Sequence, residues 1–286
     1  MRVTSKVNVL RVVIMLIAGA ISQQVWAASP NPLDTLNHPV PGGVAVIPIE
    51  SSRPPGAKFQ GKQVLIVPTG PGHWVALVGI PLSTPAQPQA LDVQTSQGAR
   101  TLSFSVQDKK YKEQRITLKN TRQVNPLPED LKRIEIELKE QSQAYQQFSP
   151  GQPSNVLFDK PVDGPLSSSF GLHRFFNGEP RAPHSGADFP VPTGTPVRAP
   201  AAGRVILVGN YFFNGQTVFV DHGQGLISMF CHLSVLDVKP GDSLLRGQTL
   251  GKVGATGRVT GAHLHWNVSL NDARVDPAIF IGAFKP

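Results

Sequence analysis

Cys231 is the chain's single cysteine, so no internal disulfide can form and a zinc site closed by several thiolates is excluded. Nothing beside Cys231 in sequence builds a thiol nucleophile, and it reads as a small core residue. There is no H-E-x-x-H helix and no G-x-S-x-G elbow, which removes two common hydrolase layouts. Charged residues are sparse at 16%, and the Lys and Arg residues are scattered, so nucleic acid is not the expected partner. Beyond the N-terminus no apolar run approaches the roughly 20 residues that span a bilayer. What the chain does have is apolar content of 40% with 27 Gly and 27 Pro, the balance of a folded protein rich in turns and strands.

The first residues follow their own logic. Arg2, Lys6 and Arg11 precede the apolar run Val12 to Ile21, and Val25-Trp26-Ala27 supplies small residues at the right spacing for cleavage. That order predicts a signal peptide over residues 1–27 and an exported protein, periplasmic or secreted, with no transmembrane anchor after cleavage. No Cys adjoins the cleavage point, which excludes a lipid-modified N-terminus. Cleavage removes three basic and no acidic side chains, taking the net charge from +8 to +5. A moderately basic exported protein suits an anionic polymer such as a cell wall.

Three regions follow. Residues 28–122 carry short β-prone runs at regular spacing, among them Val44 to Ile49, Trp74 to Val78, Leu102 to Val106 and Arg115 to Leu118. These predict a small immunoglobulin-like β-sandwich. Its histidines, His38 and His73, stand alone. Residues 123–153 read as a connecting helix and linker: Pro128-Glu-Asp opens it, Asn125 offers a cap, and Leu131, Ile134, Leu138, Tyr145 and Phe148 share a face. Residues 154–286 return to strands, with Asp221-His-Gly-Gln-Gly225 as a hairpin turn, and predict an antiparallel β domain. The fold class expected is mostly β.

Six of the eight histidines fall after residue 170. Strand alternation puts His263 and His265 on one face, with Leu264 and Trp266 on the other. Burying two imidazoles on an apolar strand is costly unless something uses them. The pair alone is equally consistent with a metal site or a structural role. Pro183-His-Ser-Gly-Ala-Asp188 cannot be helical, and on its own reads as a His184–Asp188 ion pair that orients a loop. Alternation over Leu226 to Leu233 places His232 with Phe230 and Ser228, opposite Cys231 and Met229. One carboxylate and several imidazoles in one small domain amount to zinc-type chemistry, and three protein ligands would leave a fourth position open for water.

These segments resemble a known family. His184-Ser-Gly-Ala-Asp188, Phe230-Cys-His232-Leu-Ser and Thr260-Gly-Ala-His263-Leu-His265 look like the three motifs of the lysostaphin-type (LytM-like) zinc metallopeptidases. Ser169-Phe-Gly171, Gly251 to Gly257 and Val275-Asp-Pro277 extend the likeness over residues 155–280. The resemblance implies a barrel-sandwich-hybrid type domain, one Zn2+ per chain held by His184, Asp188 and His265, and His263 and His232 as catalytic groups beside it. It implies an endopeptidase acting on peptide cross-links or bridges of peptidoglycan. Arg174 and His173 near the site read equally as substrate contacts or as part of a solvated loop, and His222, in its turn, reads as structural. The sandwich over residues 28–122 and the connecting helix could hold such an enzyme latent by covering the groove.

Two rivals are weighed on the same residues. A catalytically silent relative that binds wall or activates other hydrolases would have lost ligands, and every position of the motif set is filled here. A biotinyl- or lipoyl-type carrier matches the rhythm of Val197 to Gly203 and Val238 to Gln248. A carrier needs a modifiable Lys between those segments, and none occurs from Arg204 to Val238.

Overall fold

Alternation of apolar and polar residues builds two sheets first. One joins β1 (Val44–Glu50), β5 (His73–Gly79) and β4 (Leu65–Gly70) in that order, all antiparallel. The other joins β3 (Lys62–Gln63), β2 (Gly56–Phe59), β6 (Pro88–Thr95) and β7 (Gly98–Ser105). Along β6, Leu91, Val93 and Thr95 are buried while Ala90, Asp92 and Gln94 are exposed, the period of a half-buried strand. Ile49, Ile66, Ala76 and Val78 of the first sheet pack on Ala57, Phe59, Leu91 and Val93 of the second. The structure, a computed structural model, describes residues 31–286. The leader expected over residues 1–27 therefore lies outside the described residues.

The run Val75-Ala-Leu-Val78 is buried throughout, because the first sheet is covered on both faces. Its second face sends Val44, Leu65, Val75 and Leu77 into the main core, beside Leu226, Val268 and Leu270. Side-chain amides complete the join. Asn271 Oδ1 accepts from the Gly79 amide at 2.7 Å and its Nδ2 donates to the Gly79 carbonyl at 2.9 Å. Gln224 Oε1 accepts from the Ile66 amide at 3.0 Å. Each such bond spares a buried backbone group the cost of going unpaired.

The segment Arg115 to Leu118, expected as the last strand of the sandwich, pairs elsewhere. β8 (Glu113–Ile116) runs parallel to β9 (His173–Phe176), which in turn pairs with β10 (Glu179–Pro180). Alternation identifies a strand without naming its partner, and this partner lies about sixty residues downstream. The helix α1 spans Pro128–Tyr145. Its buried side chains are Asp130, Ile134, Ala144 and Tyr145, whereas Leu131 and Leu138 are more than half exposed. The expected apolar face is thus turned by part of a helical turn. Asp130 takes the capping role at the start, accepting from the Leu127 amide at 3.1 Å, while Asn125 instead donates to Glu179 at 2.8 Å.

The remaining strands form one nine-stranded sheet: β11 (Ala187–Phe189), β12 (Pro196–Arg198), β13 (Gly203–Tyr211), β14 (Gly215–Gly223), β15 (Leu226–Leu236), β16 (Ser243–Leu244), β17 (Thr249–Val253), β18 (Leu264–Leu270) and β19 (Ala273–Val275). The main path runs β11-β18-β15-β14-β13-β16, with β17 pairing both β12 and β15 and β19 pairing β18. A short helix, α2 (Pro277–Phe280), closes the chain on the sheet, its first turn capped by Asp276. Phe189, Phe230, Leu264, Trp266 and Val268 fill the inner layer, with the Phe230 and Trp266 rings stacked at 6.5 Å. The architecture is mostly β and antiparallel outside the β8–β9 pair.

Candidate metal centre

Strand register brings the first two ligand candidates together. β11 lies antiparallel on β18 with Asp188 opposite His265, and β15 flanks the other side with Cys231 opposite His265. Because Leu264 and Trp266 enter the core, His265 faces outward with Asp188, as alternation requires. His184 reaches them from the loop before β11. Its amide donates to the Leu172 carbonyl at 2.9 Å, and its carbonyl accepts from the Gly171 amide at 2.7 Å. Gly186 is what permits so close an approach: a Cβ there would meet Asn267 Oδ1 at 2.1 Å and His265 Cε1 at 2.9 Å.

Three donor atoms converge. Asp188 Oδ1 lies 3.0 Å from His184 Nε2 and 2.7 Å from His265 Nδ1, and the two nitrogens are 3.0 Å apart. All three residues are buried. The opposite edge of His184, Nδ1, sits 2.8 Å from the Ser169 carbonyl and must carry a proton to bond it. Nε2 of the neutral ring then presents a lone pair to a carboxylate oxygen. A second proton would relieve that clash, yet burial pushes the His184 pKa down to about 4, with the Asp188 bond opposing. A cation satisfies all three atoms at once. Two imidazole nitrogens and a carboxylate oxygen match the donor preference of Zn2+, and the carbonyl behind His184 is the usual device for fixing a ligand's tautomer. The residues fit the metal.

Burial acts to raise the Asp188 pKa, but the close His184 and His265 nitrogens, which favour a charged carboxylate wherever they share a cation or proton with it, outweigh burial and hold the carboxyl below the usual carboxylate range. Its second oxygen, Oδ2, accepts from Arg174 Nη2 at 3.0 Å. Arg174 is itself gripped by Gln114 Oε1 at 3.0 Å and lies 3.3 Å from Ser168 Oγ. Arg174, expected as a substrate contact, lines the groove with its guanidinium paired to Asp188.

Two more imidazoles border the cluster. The His232 ring centroid is 4.8 Å from that of His263 and 6.0 Å from that of His265. His263 Nε2 is 3.9 Å from Asp188 Oδ1. Both rings bond carbonyls through Nδ1, His232 to Thr256 at 2.8 Å and His263 to Gly261 at 2.9 Å. In the neutral state each therefore carries its lone pair on Nε2. Burial, with His265 and His263 adding to it, lowers the His232 pKa to about 3.

The alternation drawn for His232 is overturned. Phe230 enters the inner core, whereas His232 reaches the outer face beside His263 and His265. A bulge is responsible: Gln216 pairs with Leu233 and Val218 with Phe230, leaving an extra residue on β15, and His232 takes φ of +63°. Its amide is satisfied by the Asn214 carbonyl at 2.9 Å. Left-handed backbone at a non-glycine residue is costly and marks a position that the surroundings enforce. Cys231 packs with Phe219, Ile227 and Met229 under α1, its thiol pKa raised by burial.

A groove of about 400 Å3 opens onto this cluster, lined by Asp188, His232 and His263 together with Arg174, Arg258 and the β8 side of the chain at Gln114, Ile116 and Leu118. His173 alternates away from it and lines a separate cavity with Lys109, Tyr111 and Arg274. His222 is bonded at both nitrogens, to the Ala202 carbonyl and to Ser228 Oγ, each at 2.9 Å, as a structural histidine should be. Sequence reasoning missed Ser168, Gln114 and Arg258. The run of three Ser residues before Phe170 is a usable signal for Ser168, whereas Gln114 arrives only through the long-range β8–β9 pairing.

Known proteins match this chain in the same places. Residues 182–277 match the description Peptidase family M23, and residues 37–109 match the Peptidase family M23 N-terminal domain. The crystal structure of a Pseudomonas aeruginosa chain assigned to peptidase M23 is 60% identical, with a TM-score of 0.76, and the match covers 88% of this chain and 99% of that one. The chain belongs to peptidase family M23. Among M23 relatives, the peptidoglycan DD-endopeptidase ShyA of Vibrio cholerae is 41% identical over 111 residues, 38% of this chain and 26% of its own. The DD-carboxypeptidase/endopeptidase Mpg of Neisseria meningitidis is 38% identical over 94 residues, 33% of this chain and 22% of its own. The chain thus spans about a quarter of the length of these curated relatives. No helix among the described residues is long and apolar enough to cross a membrane.

Proposed function

We propose that the chain is a zinc-dependent endopeptidase that hydrolyses peptide cross-links or bridges of bacterial peptidoglycan, with one Zn2+ per chain. The observation that carries this is the convergence of His184 Nε2, Asp188 Oδ1 and His265 Nδ1 within about 3 Å of one another, beside a groove that Asp188 lines together with two further imidazoles. Membership of family M23 and the two named relatives support the substrate.

His184, Asp188 and His265 would hold the metal, leaving the groove side open. Bound zinc supplies Lewis acidity, which acidifies water and polarises a scissile carbonyl. His263, nearer Asp188, accepts the water proton at Nε2 and returns it to the leaving amine. His232 stays neutral because of its burial, so its Nε2 is an acceptor that can hold and orient the attacking water through one of that water's protons. The carbonyls of Thr256 and Gly261 keep both rings in the tautomer these roles need. Ile116, Leu118 and Phe176 give the groove an apolar wall that keeps bulk water from the reacting bond.

The organisation that accompanies this reading is a first region over residues 28–122, whose strands from β1 to β7 form the sandwich, a connecting segment over 123–153 and the peptidase domain over 154–286. Because β8 at the end of the first region supplies the groove wall, the first region restricts access to the site rather than lying apart from it. The substrate places the site of action outside the cytoplasm. Digestion of purified peptidoglycan, with released fragments identified by mass, tests the assignment. Fragments cut at a peptide cross-link or bridge are expected; intact sacculi at full zinc loading would reject it.

A further inference from the structure

Arg258 stands in the groove without a counterion. Its guanidinium lies 4.7 Å above the Phe176 ring and 4.2 Å above the Phe213 ring, half-buried between them. Its one hydrogen bond is long, from Nη1 to the Gln123 carbonyl at 3.4 Å. Among the described residues no carboxylate comes within ion-pair distance of it. Arg174, the groove's other arginine, has Asp188 at 3.0 Å, and nearby Arg181 has Glu179 at 2.7 Å. A guanidinium offers five N–H donors in a fixed fork, and leaving most of them unpaired while partly desolvated is expensive. Burial, and then the like charges of Arg174 and Arg181, lower its pKa to about 10, so the site favours an incoming anion.

The backbone places this charge beside the chemistry. Arg258 precedes His263 on the loop that forms one wall of the groove, and its amide is held by the Phe213 carbonyl at 2.8 Å. The rings beneath it fix the plane of the fork, which suits a planar two-oxygen acceptor better than a point anion.

We propose that Arg258 is a specificity-determining residue that binds a carboxylate of the substrate peptide, next to the bond that is cut. The inference rests on the groove being the substrate site of the proposed peptidase. Cross-linked stem peptides whose free carboxylates flank the scissile bond should therefore bind and react better than the same peptides with those carboxylates amidated. Loss of a bond to a charged group costs roughly ten- to hundredfold.

The test uses the zinc-loaded full chain and the Arg258→Gln and Arg258→Lys variants, with calorimetric binding and kcat/KM measured for the paired free-acid and amidated peptides. Zinc content and thermal unfolding are checked for each variant. The wild type should prefer the free acid by about ten- to hundredfold, Arg258→Gln should erase the preference mainly through KM, and Arg258→Lys should keep part of it. Binding that retains this pattern without hydrolysis would leave the inference standing and reject the catalytic reading. Equal affinity of the wild type for both peptides, or a preference unchanged in Arg258→Gln, would overturn the inference.

Discussion

The two halves of the chain bury different things. Between Val44 and Val106 the core is apolar, from Ile49 and Phe59 to Leu91 and Val93, and its buried polar residues are small hydroxyls such as Ser51, Thr84 and Thr95. The nine-stranded sheet also has an apolar inner layer, but its outer side buries His184, Asp188, His232, His265 and Asn267. Burying ionisable groups costs stability unless they are paired or hold a metal. The first half is shaped for folding alone; the second carries a cost that only function explains.

The sharpest way to break this comparison is to remove a ligand. His265→Ala should abolish both zinc binding and hydrolysis, read by metal analysis and peptidoglycan digestion; retention of zinc would refute its place in the site. His263→Ala should keep the metal and lower kcat by about 10²–10⁴-fold, the usual worth of a proton-transfer group. Equal zinc loss in both variants would reverse the division of roles.

The first half should answer differently. Phe59 is fully buried in the sandwich core, so Phe59→Ala should cost about 3–5 kcal/mol in denaturant unfolding while activity per folded molecule is unchanged. A smaller effect concerns His222, whose pKa burial lowers to about 4. The unfolded chain takes that proton first, so stability present above pH 6.5 is lost as pH falls from 6.5 toward 4. The full contribution is about 3 kcal/mol. His222→Gln should flatten the dependence of unfolding free energy on pH in that window, and an unchanged slope would argue against a neutral buried imidazole. Least affected should be Leu131→Ser on the exposed side of α1, within about 0.5 kcal/mol of the parent.

Much of the site was legible because it depends on local spacing. His263-Leu-His265 needs only strand alternation, and the β18 register with Asp188 follows once β11 is placed. His184 and Asp188 alone looked like an ion pair, and resemblance supplied their role; the geometry adds the facing lone pairs that call for a cation. What stayed hidden arises from long-range or irregular backbone. The bulge at His232 defeats a period of two, and its φ of +63° leaves no mark in a non-glycine residue. The parallel pairing of β8 with β9, which brings Gln114 to Arg174, joins segments about sixty residues apart. Leu131 and Leu138 share a helical face with Ile134, yet stay exposed because the sheet meets the helix along its Ile134–Tyr145 side.

Three buried donors would hold a metal that drives cleavage of wall peptides. Release of new amino groups from purified peptidoglycan, followed before chelation, after chelation and after zinc is restored, tests it most directly. Release should stop on chelation and return with about one zinc per chain; release that continues unchanged in the metal-free protein would rule out a catalytic metal.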